Sequence, residues 1–220
     1  MEIKKFWKLY PKESKINLIK NLRIVVSKYK RKKIQKFGKE YFDGKREHGY
    51  GGYNYDKKFF RNVVKEMIKH YKLNNKSKIL DIGCAKGFMM YEFRHFLPKA
   101  EISGLDISKY CKVNALPSEK KFIKIGSCHK LPFKNNYFDF VVSISTIHNL
   151  SKKKIPLALK EIERVKKGKS FIRIKCYQNY KEKKFIDDWN IVAKSNLSII
   201  HWKKLLKKYN YSGDYQFAKY

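Results

Sequence analysis

Arginine is the first scarcity: seven arginines stand against 46 lysines in a 220-residue chain of formal charge +34. Arginine is the side chain best built for bidentate phosphate recognition, and lysine offers only a point charge. Lysine is joined by abundant isoleucine, asparagine and tyrosine, residues that share AT-rich codons, so a genome-wide bias would be enough to load the surface with lysine without selection for binding. A polyanionic partner therefore remains the alternative expectation, with a nucleotide-bearing or otherwise anionic substrate compatible with either.

Cysteine is scarce too. Cys84, Cys111, Cys128 and Cys176 form no C-x-x-C pair and join no histidine cluster at zinc spacing, so reduced buried thiols are expected and no metal site. No apolar run approaches the ~20 residues a membrane span requires. The opening MEIKKFWKLYPKESK lacks the apolar core and small-residue cleavage site of a secretory leader, and a cytoplasmic protein is the expectation. Hydrophobic residues still make up 43% of the chain, enough for one well-buried domain with an appendage.

Glycine is sparse, with 11 in all, which makes the places where it gathers informative. The first gathering is YFDGKREHGYGGYNYD, residues 41–56, a loop by composition that follows a lysine-rich stretch with apolar positions Ile16, Ile19, Leu22, Val26 and Tyr29 near helical spacing. Phe59, Phe60, Val63, Val64, Met67, Ile68 and Tyr71 then repeat at three- and four-residue steps, the signature of an amphipathic helix.

Alternation follows. Strands are expected at Lys78–Ile82, Glu101–Leu105, Phe122–Ile125, Phe138–Ser143 and Ser170–Cys176, with helices near 86–97, 108–116 and 154–165 between them. Helices at 181–194 and 200–209 and a final strand pair complete the chain. Strands alternating with helices at this spacing imply a parallel sheet covered on both faces, with ligands at the strands' C-terminal ends.

The second gathering of glycine lies at such an end, in ILDIGCAKGF, residues 79–88. A dinucleotide fingerprint needs G-x-G-x-x-G, and Ala85 and Phe88 break it; a phosphate loop needs G-K-[ST], and Gly87-Phe88 stands there instead. The string resembles the first motif of the class I S-adenosylmethionine-dependent methyltransferases, an acidic residue followed by G-x-G-x-G after the first strand, with Ala85 in the middle glycine's place. ISGLDIS, ending the second strand at Asp106, and IGSCHKLPFKNNYFDFVVS extend the resemblance in the same order.

The resemblance implies a doubly wound α/β fold with a mostly parallel, seven-stranded Rossmann-like sheet. An N-terminal segment of basic helices and a Gly/Tyr-rich lid, residues 1–56, would precede the domain at 57–220. It also implies S-adenosylmethionine as cofactor and Asp81, Gly83, Cys84, Gly87, Asp106, Ile107, Ser127, Cys128 and Ser143 as the cofactor-binding set. In the family, the first acid contacts the cofactor's amino end and the second its ribose hydroxyls. An acid after the third-strand glycine contacts the adenine amino group, and here Ser127 holds that place.

Catalysis would fall beyond the fourth and fifth strands. SISTIHNL, residues 143–150, lacks the Asp/Asn-Pro-Pro-aromatic motif of nucleic-acid and amide N-methyltransferases. His148, which titrates near neutrality by default, is the candidate catalytic residue, with Asn149 beside the substrate. Arg46, His48, Tyr50 and Tyr53 are the lid candidates, since glycine hinges and tyrosine hydroxyls suit a closing loop. The expected activity is methyl transfer to an O or N nucleophile of a small molecule such as a sugar, sugar-nucleotide or amino compound. An RNA-directed enzyme and a non-catalytic cofactor-fold module are the alternatives.

Overall fold

A computed structural model describes residues 1–3, 6 and 28–218. The helix read across Ile16, Ile19, Leu22 and Val26 lies outside the described residues.

Two short helices, α1 (Lys28–Ile34) and α2 (Lys39–Phe42), precede a 3-10 turn at Arg46–His48. Helix α3 (Lys57–Tyr71) begins where the Asp56 carboxylate accepts the Lys58 N–H, and it ends at Lys72 in the left-handed conformation. Val63, Val64 and Met67, one face of its apolar repeat, are buried.

The sheet then builds in alternation: β1 (Lys78–Ile82), α4 (Phe88–Phe96), β2 (Glu101–Asp106), α5 (Lys109–Val113), β3 (Ile123–Ile125) and β4 (Phe138–Ile144). Helix α6 (Ile155–Val165), β5 (Lys166–Lys175), α7 (Tyr180–Trp189), α8 (Ile199–Lys208) and β6 (Asp214–Ala218) follow. The strand order is β3-β2-β1-β4-β5-β6, every pair parallel. The order reverses between β1 and β4, and the crevice at such a switch point, outside the strands' C-terminal ends, is where ligands bind in this architecture.

Helices cover both faces. Leu80, Ile82, Val141, Ile172 and Ile174 face a core shared with α6 and α8, which contributes Trp202 and Leu206. Ile79, Phe140, Val142 and Phe171 face the other layer, built from α3 and α4 through Met67, Met90 and Phe93. Alternating positions along each strand thus serve two cores, which is why the strands read as near-continuous apolar runs.

Three expectations are corrected. The sheet has six strands among the described residues, because the expected terminal pair is a single strand, β6, lying parallel to β5. Strand β5 begins at Lys166 rather than Ser170, since Phe138 pairs with Lys166 and the loop-like KKGK joins the ladder. Helix α7 stops at Trp189, short of residue 194, with the Asn190 N–H donating to Ile186 O.

Candidate active site

The glycine turn leaves β1 at Ile82 and is tied to β2: the Gly83 N–H donates to Leu105 O at 2.7 Å and the Cys84 N–H to the same oxygen at 3.3 Å. Gly83 has φ +79°, and a Cβ there would lie 2.0 Å from Thr146 Oγ1, so glycine is required both by conformation and by the loop after β4. Gly87, φ +81°, caps α4. Ala85, φ +48°, takes the left-handed region without glycine's freedom, a cost of ~1 kcal/mol. Its N–H donates to Asp106 Oδ2 at 2.8 Å, a contact that holds the turn in this shape.

Two carboxylates close the ends of β1 and β2. Asp106 is 7% exposed. Its Oδ1 accepts the Ser108 N–H at 2.8 Å. Burial raises its pKa, opposed by the N–H groups of Ser108, Ala85 and Ile107. Asp81 is 3% exposed. Burial first, and then the neighbouring Asp106 charge, push it up to about 7. Neither acid forms an ion pair with a lysine or arginine among the described residues. Two buried acids side by side without a cation are an unfavourable arrangement that an ammonium group and a pair of hydroxyl donors would relieve. The chain therefore fits a ligand with a cationic end near β1 and a diol near β2.

Of the remaining expected cofactor positions, Ile107 is 57% exposed beyond the β2 edge, and Ser127 is half-buried in the loop after β3. Cys84 and Cys128 are buried with free thiols. Burial raises the Cys84 pKa well above its ordinary value and pushes Cys128 up to about 12, so both stay protonated packing groups. Ser143 leaves the set: it is fully buried, and its hydroxyl donates to Ile82 O at 3.1 Å, joining β4 to β1 inside the sheet.

The N-terminal segment packs directly on this turn. Lys86, within the turn and 6% exposed, donates from Nζ to Asp43 Oδ1 at 2.9 Å, to Asp43 Oδ2 at 2.7 Å and to Tyr53 O at 2.8 Å. Asp43 also accepts the Tyr110 hydroxyl at 2.7 Å and the Tyr53 N–H at 2.8 Å. Burial pushes its carboxyl upward, but the hydrogen bonds from Lys86, Tyr110 and Tyr53 win and hold it below the usual range. The Ser108 hydroxyl donates to Phe37 O.

Around this latch the aromatic rings stack. Phe42 lies parallel to Tyr50 at 5.7 Å between centroids, and Tyr53 stacks on Phe88 at 4.8 Å. Among the lid candidates, Tyr50 and Tyr53 thus meet the turn's neighbourhood. Arg46 donates to Gly49 O, and His48 is buried between Glu40 and Glu47, so these two residues are engaged within the segment itself. Asp43, Lys86 and Tyr110 were not anticipated. Lys86 was visible inside the turn and Asp43 beside the first glycine of the loop, but nothing in their spacing, 43 residues apart, paired them.

The loop after β4 forms the other wall. Ser145, φ +53°, donates its N–H to Arg173 O at 2.9 Å, while its hydroxyl accepts from Arg173 Nη1 at 3.2 Å. His148 is 3% exposed, and its Nδ1 accepts the Lys175 N–H at 3.3 Å. Burial, followed by Lys175 and Arg173, lowers its pKa well below the ordinary value. The imidazole is therefore neutral, with Nδ1 occupied and its proton on Nε2. Asn149 donates from Nδ2 to Ser145 O at 3.3 Å, which fixes the loop.

Comparison with known proteins bears on this arrangement. Residues 80–174, from within β1 to the end of β5, match the family described as a methyltransferase domain. A curated relative, an uncharacterized methyltransferase of Schizosaccharomyces pombe, is 30% identical over 119 residues, covering 48% of this chain and 41% of that protein. The malonyl-acyl-carrier-protein O-methyltransferase of Legionella pneumophila is 32% identical over 92 residues, 40% of this chain and 32% of that protein. The chain thus spans less than half the length of the curated relatives it matches. Among solved structures, the YcgJ protein of Bacillus subtilis superposes with a TM-score of 0.56 at 22% identity over 66% of each chain, a likeness of fold. The matched segment begins in the strand that carries Asp81 and holds the turn and Asp106 in the family's order; over these residues the chain is similar to the methyltransferase domains, a family that binds S-adenosylmethionine.

Proposed function

We propose that the protein transfers the methyl group of S-adenosylmethionine to an O or N nucleophile of a small molecule. The observation that carries this reading is the uncompensated carboxylate pair, Asp81 and Asp106, at the C-terminal ends of β1 and β2 beside the turn of Gly83, Ala85 and Gly87. When bound, the cofactor would supply an electrophilic methyl carbon on a sulfonium, with the neutral S-adenosylhomocysteine thioether as the leaving group. Asp106 would accept the two ribose hydroxyls, and Asp81 would face the ammonium end, while the turn lets the backbone approach. The lid held by Asp43 and Lys86 keeps water from the cleft.

On the acceptor side, His148 works as a positioning group rather than a base. With Nδ1 engaged by the Lys175 N–H, it presents Nε2–H as a donor to the acceptor. Arg173 and Lys175 make this corner electropositive, which favours an acceptor that carries negative charge. An O-methyltransferase among the relatives accords with an oxygen nucleophile.

Thermal unfolding with and without S-adenosylhomocysteine tests the reading. At 100 times Kd the ligand should add about 2.7 kcal/mol to stability, a rise of several degrees in Tm. No shift at millimolar ligand would overturn it.

A further inference from the structure

The loop after β3 holds an unusual pair, Ser127 and His129. Ser127 stands where the family carries an acid, and a lone serine is a poor replacement, because its hydroxyl turns freely and donates as readily as it accepts. Here it is not alone: Ser127 Oγ lies 2.5 Å from His129 Nδ1. The loop that carries both is fixed at several points. The Gly126 N–H donates to Asp106 O at 2.9 Å, which sets the loop against the end of β2, and the Lys130 N–H donates to Ser127 O at 2.9 Å. Leu131 N–H donates to Glu161 Oε2 at 2.6 Å. Cys128 turns inward to the core with Leu105 and Leu131, while Ser127 and His129 on either side of it stay half-buried at the surface beside Asp106.

We propose that His129 is a positioning residue that polarises Ser127, turning its hydroxyl into an acceptor for the exocyclic amino group of adenine. With the His129 proton on Nε2, the Ser127 hydroxyl donates to Nδ1 and the lone pairs of Oγ are left for the ligand. A fixed acceptor matches an amino donor and mismatches a keto oxygen, which is the discrimination a carboxylate would otherwise provide. Burial, with the Lys154 charge second, lowers the His129 pKa and keeps the ring in the neutral state that the arrangement needs. The inference rests on the cofactor reading above.

The test is calorimetry with two probes, S-adenosylhomocysteine and its deaminated form S-inosylhomocysteine, which exchanges the amino group for a keto oxygen. The wild-type protein should prefer the adenine form about tenfold. Ser127→Ala should bring the ratio close to one, and His129→Ala should lower it to about twofold. His129→Asn, whose carboxamide oxygen can accept the serine proton, should restore most of the preference. A merely structural role for His129 would weaken both ligands alike and leave the ratio unchanged, and that result overturns the proposal. So does a wild-type preference for the keto form, which would mean that Ser127 donates. Failure of the wild-type protein to bind either ligand refutes the cofactor reading itself, whereas equal binding of both refutes only the role of the pair.

Discussion

The two ends of the cleft differ in sign. At the ends of β1 and β2, Asp81 and Asp106 are buried without a cation and their pKa values are raised. At the ends of β4 and β5, Arg173 and Lys175 surround a buried histidine whose pKa is lowered. Both ends distort an ionisable group by burial, and the neighbouring charge adds to the shift: Asp106 raises the Asp81 value, while Lys175 and Arg173 lower that of His148. Thr146 joins the halves, since it fills the space that a Gly83 side chain would need.

Substitutions can separate the halves. The largest effect should come from Gly83→Ala, where positive φ and a Cβ placed 2.0 Å from Thr146 Oγ1 combine. We expect a loss of about 2–4 kcal/mol in denaturant unfolding, together with loss of S-adenosylhomocysteine binding. Ala85→Gly, which relieves a left-handed alanine, should leave binding intact and so show that the contact rather than the turn sequence matters. Asp106→Ala comes next. Removing two hydrogen bonds to a charged acceptor should weaken calorimetric binding by about 100-fold, with the fold retained by circular dichroism.

Lys86→Met should act more moderately. It leaves the half-buried Asp43 without its cation, so the segment at 37–53 should be cleaved faster in limited proteolysis and the ligand should dissociate several times faster. A smaller effect on binding is expected for His148→Gln, under about twofold in S-adenosylhomocysteine affinity, because the proposed function puts His148 on the acceptor side. Transfer of labelled methyl into small molecules should fall by about tenfold in the same variant. Equal losses of cofactor affinity in the Asp106 and His148 variants would erase the distinction between the two ends.

The glycine turn was legible in the sequence because a backbone turn writes itself in short-range order: Asp81, Gly83 and Gly87 sit within one strand-turn-helix, and Asp106 closes the next strand. The parallel sheet was legible from the alternation, apart from the expected strand pair near the C-terminus, where β6 runs parallel and alone. The latch was hidden, because Asp43 and Lys86 meet only through the packing of Phe42, Ala85 and Cys111. The protonation geometry of His148 was hidden too, as it depends on the N–H of Lys175, 27 residues away on another element. Long-range pairings of single polar residues leave no periodic trace.

The claim that the buried acids read a cationic cofactor is tested most directly by proton-linked calorimetry. The Asp81 carboxyl sits at about 7 in the free protein, against about 4 when unfolded. The native state thus holds an extra proton between those values, and its stability falls as pH rises through that window. An ammonium group placed beside Asp81 would favour the ionised form, so binding below pH 7 must release the proton. S-adenosylhomocysteine titrated at pH 6.5 in two buffers of different ionisation heat should therefore release a fraction of a proton, with affinity rising toward pH 8 and with both effects absent in Asp81→Asn. Binding without proton release, or an Asp81→Asn variant indistinguishable from wild type, would contradict the account.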